Sequence, residues 1–477
     1  MAGVVISVPI LRLVLAILMV SVFAIPAPAS AIPPWEFDPA SNIAPPDTPP
    51  AAVYKMKRNR ECGQSAVLEN SQFETIPAQE AFNVKKLHTF ARGDGQTVAV
   101  IGSGVARVSR LPNVIPGGDY VGDSNGLEDC DHHETLVAGI IAGQPSINDG
   151  FVGVAPGATV LTIRQQSVQY TEDTSIPENQ NLSPADKSAA NMLTLAKSIV
   201  HAANMGATVI NMSLTACVDA GHLPDLRVLA GALYYAAVEK NVVIIAAAGN
   251  TGGNTCKTNP EYDPSNPGDL RNWAQAQSVS IPSYFDRFVL SVGGTAPASS
   301  EADTWGDPYA NSMPGPWVGV AAPAANIVSL DPSEPQPGAL VNALMQNGNP
   351  VAENGTSFAA AYVSGLAALI RELNPGLTSN QVINRIKRTA HSPSSSVTNV
   401  FGSGIVDPVQ ALTRKGNDGP IVAPGIPSKA AEPYAAAVPP DTLARNVAVG
   451  VMGSAAAIVV AAYIVAMARR RHPKKEG

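Results

Sequence analysis

Residues Asn354–Ile370 have the sequence NGTSFAAAYVSGLAALI. Its run of Ala, Gly and other apolar residues predicts a tightly packed helix that starts close to Ser357. A hydroxyl at that position would lie at the positive end of the helix dipole. An ordinary N-cap serine or threonine leaves the same pattern, so this stretch needs support from the rest of the chain.

Outward from this helix, apolar strand candidates alternate with helical stretches. The strands are predicted at Val98–Ile101, Thr159–Ile163, Thr208–Met212, Val242–Ala247 and Phe288–Val292. The helices are predicted near His133–Ala142, Ala185–Asn204 and Leu226–Glu239. Continuous Val, Ile and Ala strands that alternate with helices are typical of an α/β fold, with a mostly parallel sheet and helices on both faces.

Both ends of the chain carry membrane signals. Residues 1–31 combine Arg12, an apolar run and the small-residue site Ala29–Ala31, which predicts a cleaved signal peptide; an uncleaved anchor is the alternative. Residues 446–468 are uncharged and long enough to form a C-terminal transmembrane helix. The basic tail 469–477 follows at once, so the positive-inside rule predicts a cytoplasmic C-terminus and an extracytoplasmic body.

Composition gives the remaining boundaries. Residues 32–80 form an N-terminal extension that begins Pro-rich, and residues 81–413 hold the alternating strands and helices. Residues 414–445 form a Pro, Gly and Ala linker that would hold the body away from the bilayer. The net charge is −7 and aromatic residues are few, so we expect no nucleic-acid partner.

The four cysteines predict two disulfides, because a signal peptide directs the body to an oxidising compartment. Three pairings are possible. We favour Cys62–Cys130, which would tie the extension to the body, and Cys217–Cys256, which would close a loop within one region. No spacing suggests a zinc site, and we expect no metal and no cofactor.

Two further motifs carry residues suited to catalysis. DCDHHETLVAGIIAG, residues 129–143, places His133 at a helix start, where its ring can lie above the carboxyl end of a sheet. NVVIIAAAGN, residues 241–250, is a buried strand that ends at Asn250, whose amide can stabilise an oxyanion. Each pattern alone is compatible with a structural role, but together with the Ser357 helix they indicate a nucleophilic hydrolase.

These motifs resemble those of the subtilisin family of serine peptidases over about residues 81–413. The two membrane signals, the motif RNREC at residues 58–62 and the DCD before the histidine give a finer resemblance to the mycosins. Those are membrane-anchored, subtilisin-like proteases of mycobacterial type VII secretion. The resemblance implies a subtilisin-like fold, with His133 as general base, Ser357 as nucleophile and Asn250 as oxyanion donor.

The resemblance also implies partners and a location. INMSL, residues 210–214, resembles the strand edge that pairs with substrate, so Ser213, Leu214 and Thr215 are the expected contacts of a polypeptide substrate. We expect a type VII secretion membrane complex as partner. The implied location is the cell membrane, with a single span and the catalytic body on the periplasmic side.

The chain departs from the family pattern where the catalytic aspartate is expected. The family carries Asp-Ser/Thr-Gly after the first strand and His-Gly-Thr at the histidine, whereas this chain carries Gly-Ser-Gly at 102–104 and His-Glu-Thr at 133–135. Gly102 has no side chain to orient the His133 ring. Glu134, the next residue on the helix, is expected to point about 100° away from it. The sequence therefore predicts a degenerate triad.

Two functions remain open after this departure. Loss of the triad aspartate lowers kcat by about 3 × 10⁴ in subtilisin, so we favour a pseudoprotease with a mainly structural role in the secretion complex. The alternative is an active, membrane-tethered serine endopeptidase that processes secreted or cell-envelope proteins. Gly102→Asp is expected to raise turnover if Gly102 has a negative φ, and a second change, Glu134→Gly, to raise it further.

Overall fold

The structure, a computed structural model, describes residues 32–252, 256–298, 306–333, 336–392 and 397–427. The predicted signal peptide, transmembrane helix and basic tail, and the linker beyond residue 427, lie outside the described residues. Across the described ranges, no helix combines the length and the apolar character needed to cross a bilayer.

The strands of the described chain are short and are numbered in chain order. They are β1 Met56–Arg58, β2 Ser65–Ala66, β3 Thr97–Gly102, β4 Val114–Asp119, β5 Thr159–Arg164, β6 Tyr170–Glu172, β7 Val209–Met212, β8 Ala216–Asp219, β9 Val243–Ala247, β10 Ser278–Ile281, β11 Val289–Ala296, β12 Asp307–Pro308, β13 Val318–Pro323, β14 Ser329–Leu330, β15 Leu340–Val341, β16 Ala343–Gln346 and β17 Asn349–Ala352.

The helices are numbered in the same way. The α-helices are α1 Pro77–Ala81, α2 Val84–Leu87, α3 His133–Ala142, α4 Pro184–Asn204, α5 Arg227–Tyr234, α6 Thr356–Leu373, α7 Ser379–Thr389 and α8 Pro408–Thr413. A π-helical turn at Tyr235–Glu239 continues α5. Short 3₁₀ turns lie at Pro177–Asn179, Ala220–His222 and Trp273–Gln275.

The central sheet is mostly parallel, as predicted. Its strand order is β12-β11-β9-β7-β3-β5-β4, with β13 also paired to β11. All of these pairs are parallel except β11 with β12. Because parallel strands end at the same edge of a sheet, the residues that follow β3, β7 and β9 meet at one edge.

Helices cover both faces of this sheet. In β3, Val98 and Val100 pack with α3 and α6 into one core, whereas Ala99 and Ile101 pack with α4 and α5 into the other. This alternation follows from the two-residue period of a strand. Helix α6 is buried from Thr356 to Arg371, which explains its small side chains. The prediction of helices on both faces is confirmed.

The predicted elements agree with the observed ones to within a few residues at most ends. Helix α3 has the predicted bounds, and β3 extends the predicted strand by one residue at each end. The predicted helix over 226–239 is instead a shorter α-helix followed by the π turn. Strand β13 and helix α7 were not predicted.

The N-terminal extension lies against the body in two places. Trp35 packs edge-on to Phe285 with ring centroids 5.0 Å apart, and Phe37 stacks on Tyr234 at 4.4 Å. Further along, β2 pairs with β16, whose partner β17 leads directly into the start of α6. The extension therefore contacts the segment that positions Ser357.

Candidate active site

His133 and Ser357 lie at the N-terminal ends of two neighbouring helices. His133 is the first residue of α3, and the chain enters this helix through His132 in the left-handed region, with φ 62°. The His133 ring lies 5.5 Å, centroid to centroid, from Phe358, the residue after Ser357. The His133 side chain is 20% exposed. The fold thus brings the predicted base beside the predicted nucleophile and leaves the ring accessible.

The Ser357 hydroxyl and the Asn250 amide lie close to the same point beside Gly355. A Cβ atom placed on Gly355 would lie 3.0 Å from Ser357 Oγ and 3.4 Å from Asn250 Nδ2. A side chain at this position would therefore crowd both groups, and glycine avoids that contact. A carbonyl group under attack by Ser357 needs a donor near the hydroxyl, because its oxygen must reach a hydrogen-bond donor as the charge develops.

The orientation of the Asn250 amide is fixed by its oxygen. Asn250 Oδ1 accepts hydrogen bonds from Thr356 N at 3.0 Å and from Thr356 Oγ1 at 3.2 Å. Thr356 Oγ1 also accepts from Gly249 N, where the left-handed φ of 105° favours glycine. With its oxygen engaged at the start of α6, Asn250 has its donor Nδ2 3.4 Å from the Cβ position of residue 355, the point that Ser357 Oγ also approaches.

The predicted substrate edge begins at Ser213, which contacts the backbone of Ser357. Ser213 follows β7, and its hydroxyl lies 2.7 Å from Asn211 Oδ1 and 3.0 Å from the Ser357 carbonyl oxygen. Leu214 and Thr215 come next and are partly exposed before β8 begins. The structure thus places Ser213 against the start of α6. The pairing of these three residues with substrate stays a prediction.

Gly102 lies at the end of β3, in the position predicted from the sequence. Its carbonyl oxygen accepts hydrogen bonds from Gln165 N at 2.7 Å and Gln166 N at 3.2 Å. The following Ser103 donates its hydroxyl hydrogen to Asp129 at 2.8 Å. The hydroxyl hydrogen of Ser103 is therefore used in the bond to Asp129 and not in a bond to the His133 ring.

Glu134 does not point away from His133, so that expectation is wrong. Its Oε1 lies 3.2 Å from Nδ1 of the His133 ring, and the residue is fully buried. A Cβ atom added to Gly102 would lie 2.5 Å from Cδ and 2.6 Å from Cγ of Glu134. The physical reason is the missing side chain at residue 102. It leaves a space at the strand end, and the flexible glutamate turns back into it.

Buried acids surround the histidine. Burial raises the pKa of Asp129 to about 6 and the pKa of Glu353 to about 7. Burial alone would lower the pKa of His133, but the hydrogen bond and charge of Glu134 outweigh it and raise that pKa, with smaller effects of Glu353 and Asp129. Within the described residues, no group of three or more acidic, His or Cys side chains could hold a metal ion.

The acids at 129 and 353 were not predicted as neighbours of His133, and the direction of the acid at 134 was predicted wrongly. The density of acids in DCDHHE was visible, but it was not connected with the ring. The stronger signal was that a glycine stands where the family has an acid while an acid stands where it has a glycine. An acid missing at residue 102 and an acid added at residue 134 suggest that the side chains of these two positions occupy the same volume.

Both predicted disulfides are present. Cys62 is joined to Cys130 and Cys217 to Cys256. Next to the first bridge, Gly63 N donates to the Cys130 carbonyl at 2.8 Å, and the Ser65 hydroxyl lies 3.0 Å from Nδ1 of His132. The extension is thus fastened to the loop that leads into His133.

Removal of the first bridge is expected to lower the free energy of unfolding by about 2–5 kcal/mol. The double change Cys62→Ser and Cys130→Ser, followed by urea unfolding, measures this loss. Amide exchange at residues 131–134 should also accelerate, because the bridge holds that loop. The matched pair Cys217→Ser and Cys256→Ser should destabilise the protein without this local effect. Equal exchange in both variants would contradict the role of the bridge.

Comparison with known proteins extends these observations. The sequence profile of the subtilase family (peptidase S8) matches residues 93–404. Mycosin-3 of Mycobacterium tuberculosis is 43% identical, over 94% of this chain and 95% of its own length. Mycosin-1 of Mycolicibacterium smegmatis is 41% identical, over 94% of this chain and 96% of its own.

Solved structures agree with the sequence comparison. The MycP3 protease of the type VII (ESX-3) secretion system superposes with a TM-score of 0.74 and 46% identity, over 80% of this chain and all of that one. A chain of the intact ESX-5 inner membrane complex superposes with a TM-score of 0.75 and 38% identity, over 91% of this chain and all of that one. The subtilisin-like fold is thereby confirmed. This chain belongs to the subtilase family and, within it, to the mycosins.

Proposed function

We propose that this protein is a subtilisin-type serine endopeptidase that acts as a component of a type VII secretion complex. The observation that carries the catalytic part is the proximity of the Ser357 hydroxyl and the Asn250 amide, which lie 3.0 and 3.4 Å from one point, the Cβ position of residue 355. His133 lies beside Ser357, with its ring against Phe358. The glycine at residue 102 alone would predict weak turnover, but the position of Glu134 favours the active alternative.

The arrangement suits peptide-bond hydrolysis. The Ser357 hydroxyl transfers its proton to Nε2 of His133 while Oγ bonds to the substrate carbonyl carbon. The resulting oxyanion accepts hydrogen bonds from Asn250 Nδ2 and the backbone N–H of Ser357. His133 then gives the proton to the departing amine, and water hydrolyses the acyl-enzyme. An extended polypeptide paired along Ser213–Thr215 would present its carbonyl group to this site.

A covalent probe tests the catalytic proposal. Purified full-length protein should react with a fluorophosphonate at Ser357 and should cleave a labelled, unfolded polypeptide. Ser357→Ala should abolish both, because it removes the nucleophile and leaves the packing of α6 nearly intact. Folded wild-type protein that neither labels nor cleaves would refute the peptidase function.

Asn250→Ala is expected to lower kcat by about 10²–10³-fold with little change in KM, since the oxyanion forms only as the reaction proceeds. The same substitution at Asn374, at the opposite end of α6, is the matched control. Asn374 Nδ2 donates to the Ile370 carbonyl at 3.1 Å, and its loss should leave the kinetics unchanged. Steady-state kinetics on the unfolded polypeptide measures both variants. A change confined to KM would argue against the oxyanion role.

The location is proposed from the predicted membrane signals and the relatives. One similar chain belongs to the periplasmic assembly of the ESX-5 inner membrane complex. We infer a single C-terminal span and a catalytic body on the periplasmic side. Protease added outside cells with a permeabilised outer layer should digest the body and spare the tail. A body protected until the inner membrane is disrupted would show the opposite orientation.

A structural contribution to the complex is a second proposal, favoured by the similarity to chains within assembled ESX-5 complexes. If the body acts mainly as a structural part, Ser357→Ala should assemble into the complex and support secretion in cells that lack the wild-type chain. Loss of secretion as complete as that caused by deletion would contradict this role.

A further inference from the structure

We propose that Glu134 is the residue that orients His133, in place of the aspartate that the subtilisin family carries at the position of Gly102. The inference rests on the proposed peptidase function and assigns to it a positioning residue outside the expected pattern. The two departures from the family motifs then form one exchange, in which the carboxylate comes from the helix instead of the strand end.

The first support is the space that the carboxylate occupies. Cδ and Cγ of Glu134 lie 2.5 and 2.6 Å from the point where a Cβ atom of residue 102 would be. The glutamate therefore fills the region in which an aspartate side chain at residue 102 would begin. Its backbone is anchored close by, since Glu134 N donates to Ser103 Oγ at 3.3 Å. The Glu134 side chain and a side chain at residue 102 would compete for the same volume.

The second support is the hydrogen bond to the ring. Oε1 of Glu134 lies 3.2 Å from Nδ1 of His133. An ionised carboxylate can only accept, so this contact places the ring proton on Nδ1 and leaves Nε2 free to take the proton of Ser357. Burial raises the pKa of Glu134, and the hydrogen bond and charge of His133 act against that rise; in its ionised form the carboxylate stabilises the imidazolium that forms. These are the two tasks of a triad carboxylate.

The third support is that His133 is the side-chain partner of this carboxylate. Oε2 of Glu134 is buried and has no hydrogen-bond partner among the described residues. A structural glutamate in the core would be expected to satisfy both oxygens through neighbouring donors. Removal of the Glu134 charge should therefore be felt chiefly at the histidine.

Other acids act on the ring only at longer range. Glu353 and Asp129 add to the electrostatic rise in the His133 pKa, and Asp131 acts on Glu134. Asp129 is engaged elsewhere, since it accepts from Ser103 Oγ and from the backbone and hydroxyl of Thr135. Of these acids, Glu134 makes the direct contact. A raised His133 pKa means that the neutral, basic ring, and hence activity, appears only as the pH rises through that value.

The test removes the negative charge of Glu134 and keeps the shape of its side chain. Glu134→Gln in the full-length protein is expected to lower kcat by about 10⁴-fold with little effect on KM, as loss of the triad carboxylate does in related enzymes. The midpoint of the pH profile should move to lower pH, and the His133 ring, followed by NMR, should titrate at a lower pKa. A merely structural glutamate would move neither quantity.

The matched control is Glu372→Gln, the same chemical change near the far end of α6. The Glu372 carboxylate accepts from the backbone N–H groups of Arg92, Gly93 and Asp94 and should leave kinetics and ring titration unchanged. Retention of wild-type kcat, or an unchanged ring pKa, in Glu134→Gln would overturn the inference while the peptidase function stands. Wild-type protein that fails to label at Ser357 would overturn the function, and the ring titration would still decide whether Glu134 holds His133.

Discussion

Moving the carboxylate from residue 134 back to residue 102 is expected to preserve activity, although each half of the exchange alone reduces it. Glu134→Gly removes the carboxylate that lies 3.2 Å from Nδ1 of His133. A loss of about 10⁴-fold in kcat follows if this group has the role of the triad carboxylate.

Gly102→Asp alone is expected to lower turnover, contrary to what the sequence suggested. Gly102 is not among the glycines with positive φ, so the backbone is no obstacle. The obstacle is Glu134, whose Cδ lies 2.5 Å from the new Cβ atom and must move from the ring. Two carboxyl groups that share a buried site cannot both ionise. A decrease of about tenfold needs a loss of only about 1.4 kcal/mol in transition-state stabilisation.

The double variant, Gly102→Asp with Glu134→Gly, should return to within about tenfold of the wild type. The four proteins form a double-mutant cycle, and four decades of non-additivity correspond to a coupling free energy of about 5 kcal/mol. The measurement is kcat/KM on the unfolded polypeptide, with Ser357→Ala as the floor. A double variant as slow as Glu134→Gly would show that the two positions do not share one task.

Arg164→Met is expected to lower the free energy of unfolding by about 3–5 kcal/mol, the usual cost of breaking a buried ion pair by removing one partner. Arg164 ends β5 and is 1% exposed, and Asp119 ends β4 and is 3% exposed. Nη2 and Nε of Arg164 lie 2.8 and 3.0 Å from Asp119 Oδ2. Methionine would fill much of the volume but would leave the buried carboxylate without its cation.

The deficit of Arg164→Met should shrink in acid. In the wild type, burial acts to raise the pKa of Asp119, but the hydrogen bond from Arg164 and those from the following loop outweigh it, so this pKa is lowered. Such a group stabilises the fold above its unfolded pKa of about 3.9, and the contribution is lost as the pH falls. Arg164 is the first of the groups that lower this pKa, so without it the pKa of Asp119 is higher than in the wild type, and protonation in acid relieves the buried charge.

Urea unfolding at about pH 7 and about pH 4.5 measures this difference. Arg227→Met is the matched control, because Arg227 pairs with Asp225 at the surface, and its unfolding midpoint should stay nearly unchanged at both pH values. An equal deficit of Arg164→Met at both pH values would show that the loss arises from packing instead of from the uncompensated charge.

Most central strands and the helices α3 and α6 could be predicted from the sequence because each is a largely apolar run. The strand Val243–Ala247 and the helix His133–Ala142 are of this kind. Strand β4, with the sequence VIPGGD, could not, because its Pro and Gly residues are typical of a turn. Its place in the sheet depends on pairing with β5, which local sequence does not reveal.

The candidate site was predictable in its parts and not in its geometry. His133, Ser357 and Asn250 lie at the helix starts and strand end that their motifs indicate. The direction of the Glu134 side chain was not predictable from helix geometry alone, since it depends on the space at Gly102, far away along the chain. An estimate from helix periodicity treats the side chain as rigid, whereas glutamate has several rotatable bonds.

The space shared by residues 102 and 134 also restricts the order in which sequence changes can accumulate. A side chain at 102 and the Glu134 side chain in its present position exclude one another, so an aspartate at 102 and this position of the glutamate cannot occur together. With the glutamate at 134, an aspartate at 102 is expected to lower activity. Each of the two residues therefore makes a change at the other less favourable. A survey of sequences that checks each catalytic position separately would classify such chains as inactive. If Glu134 has the proposed role, such a survey would overlook peptidases whose carboxylate comes from the neighbouring helix.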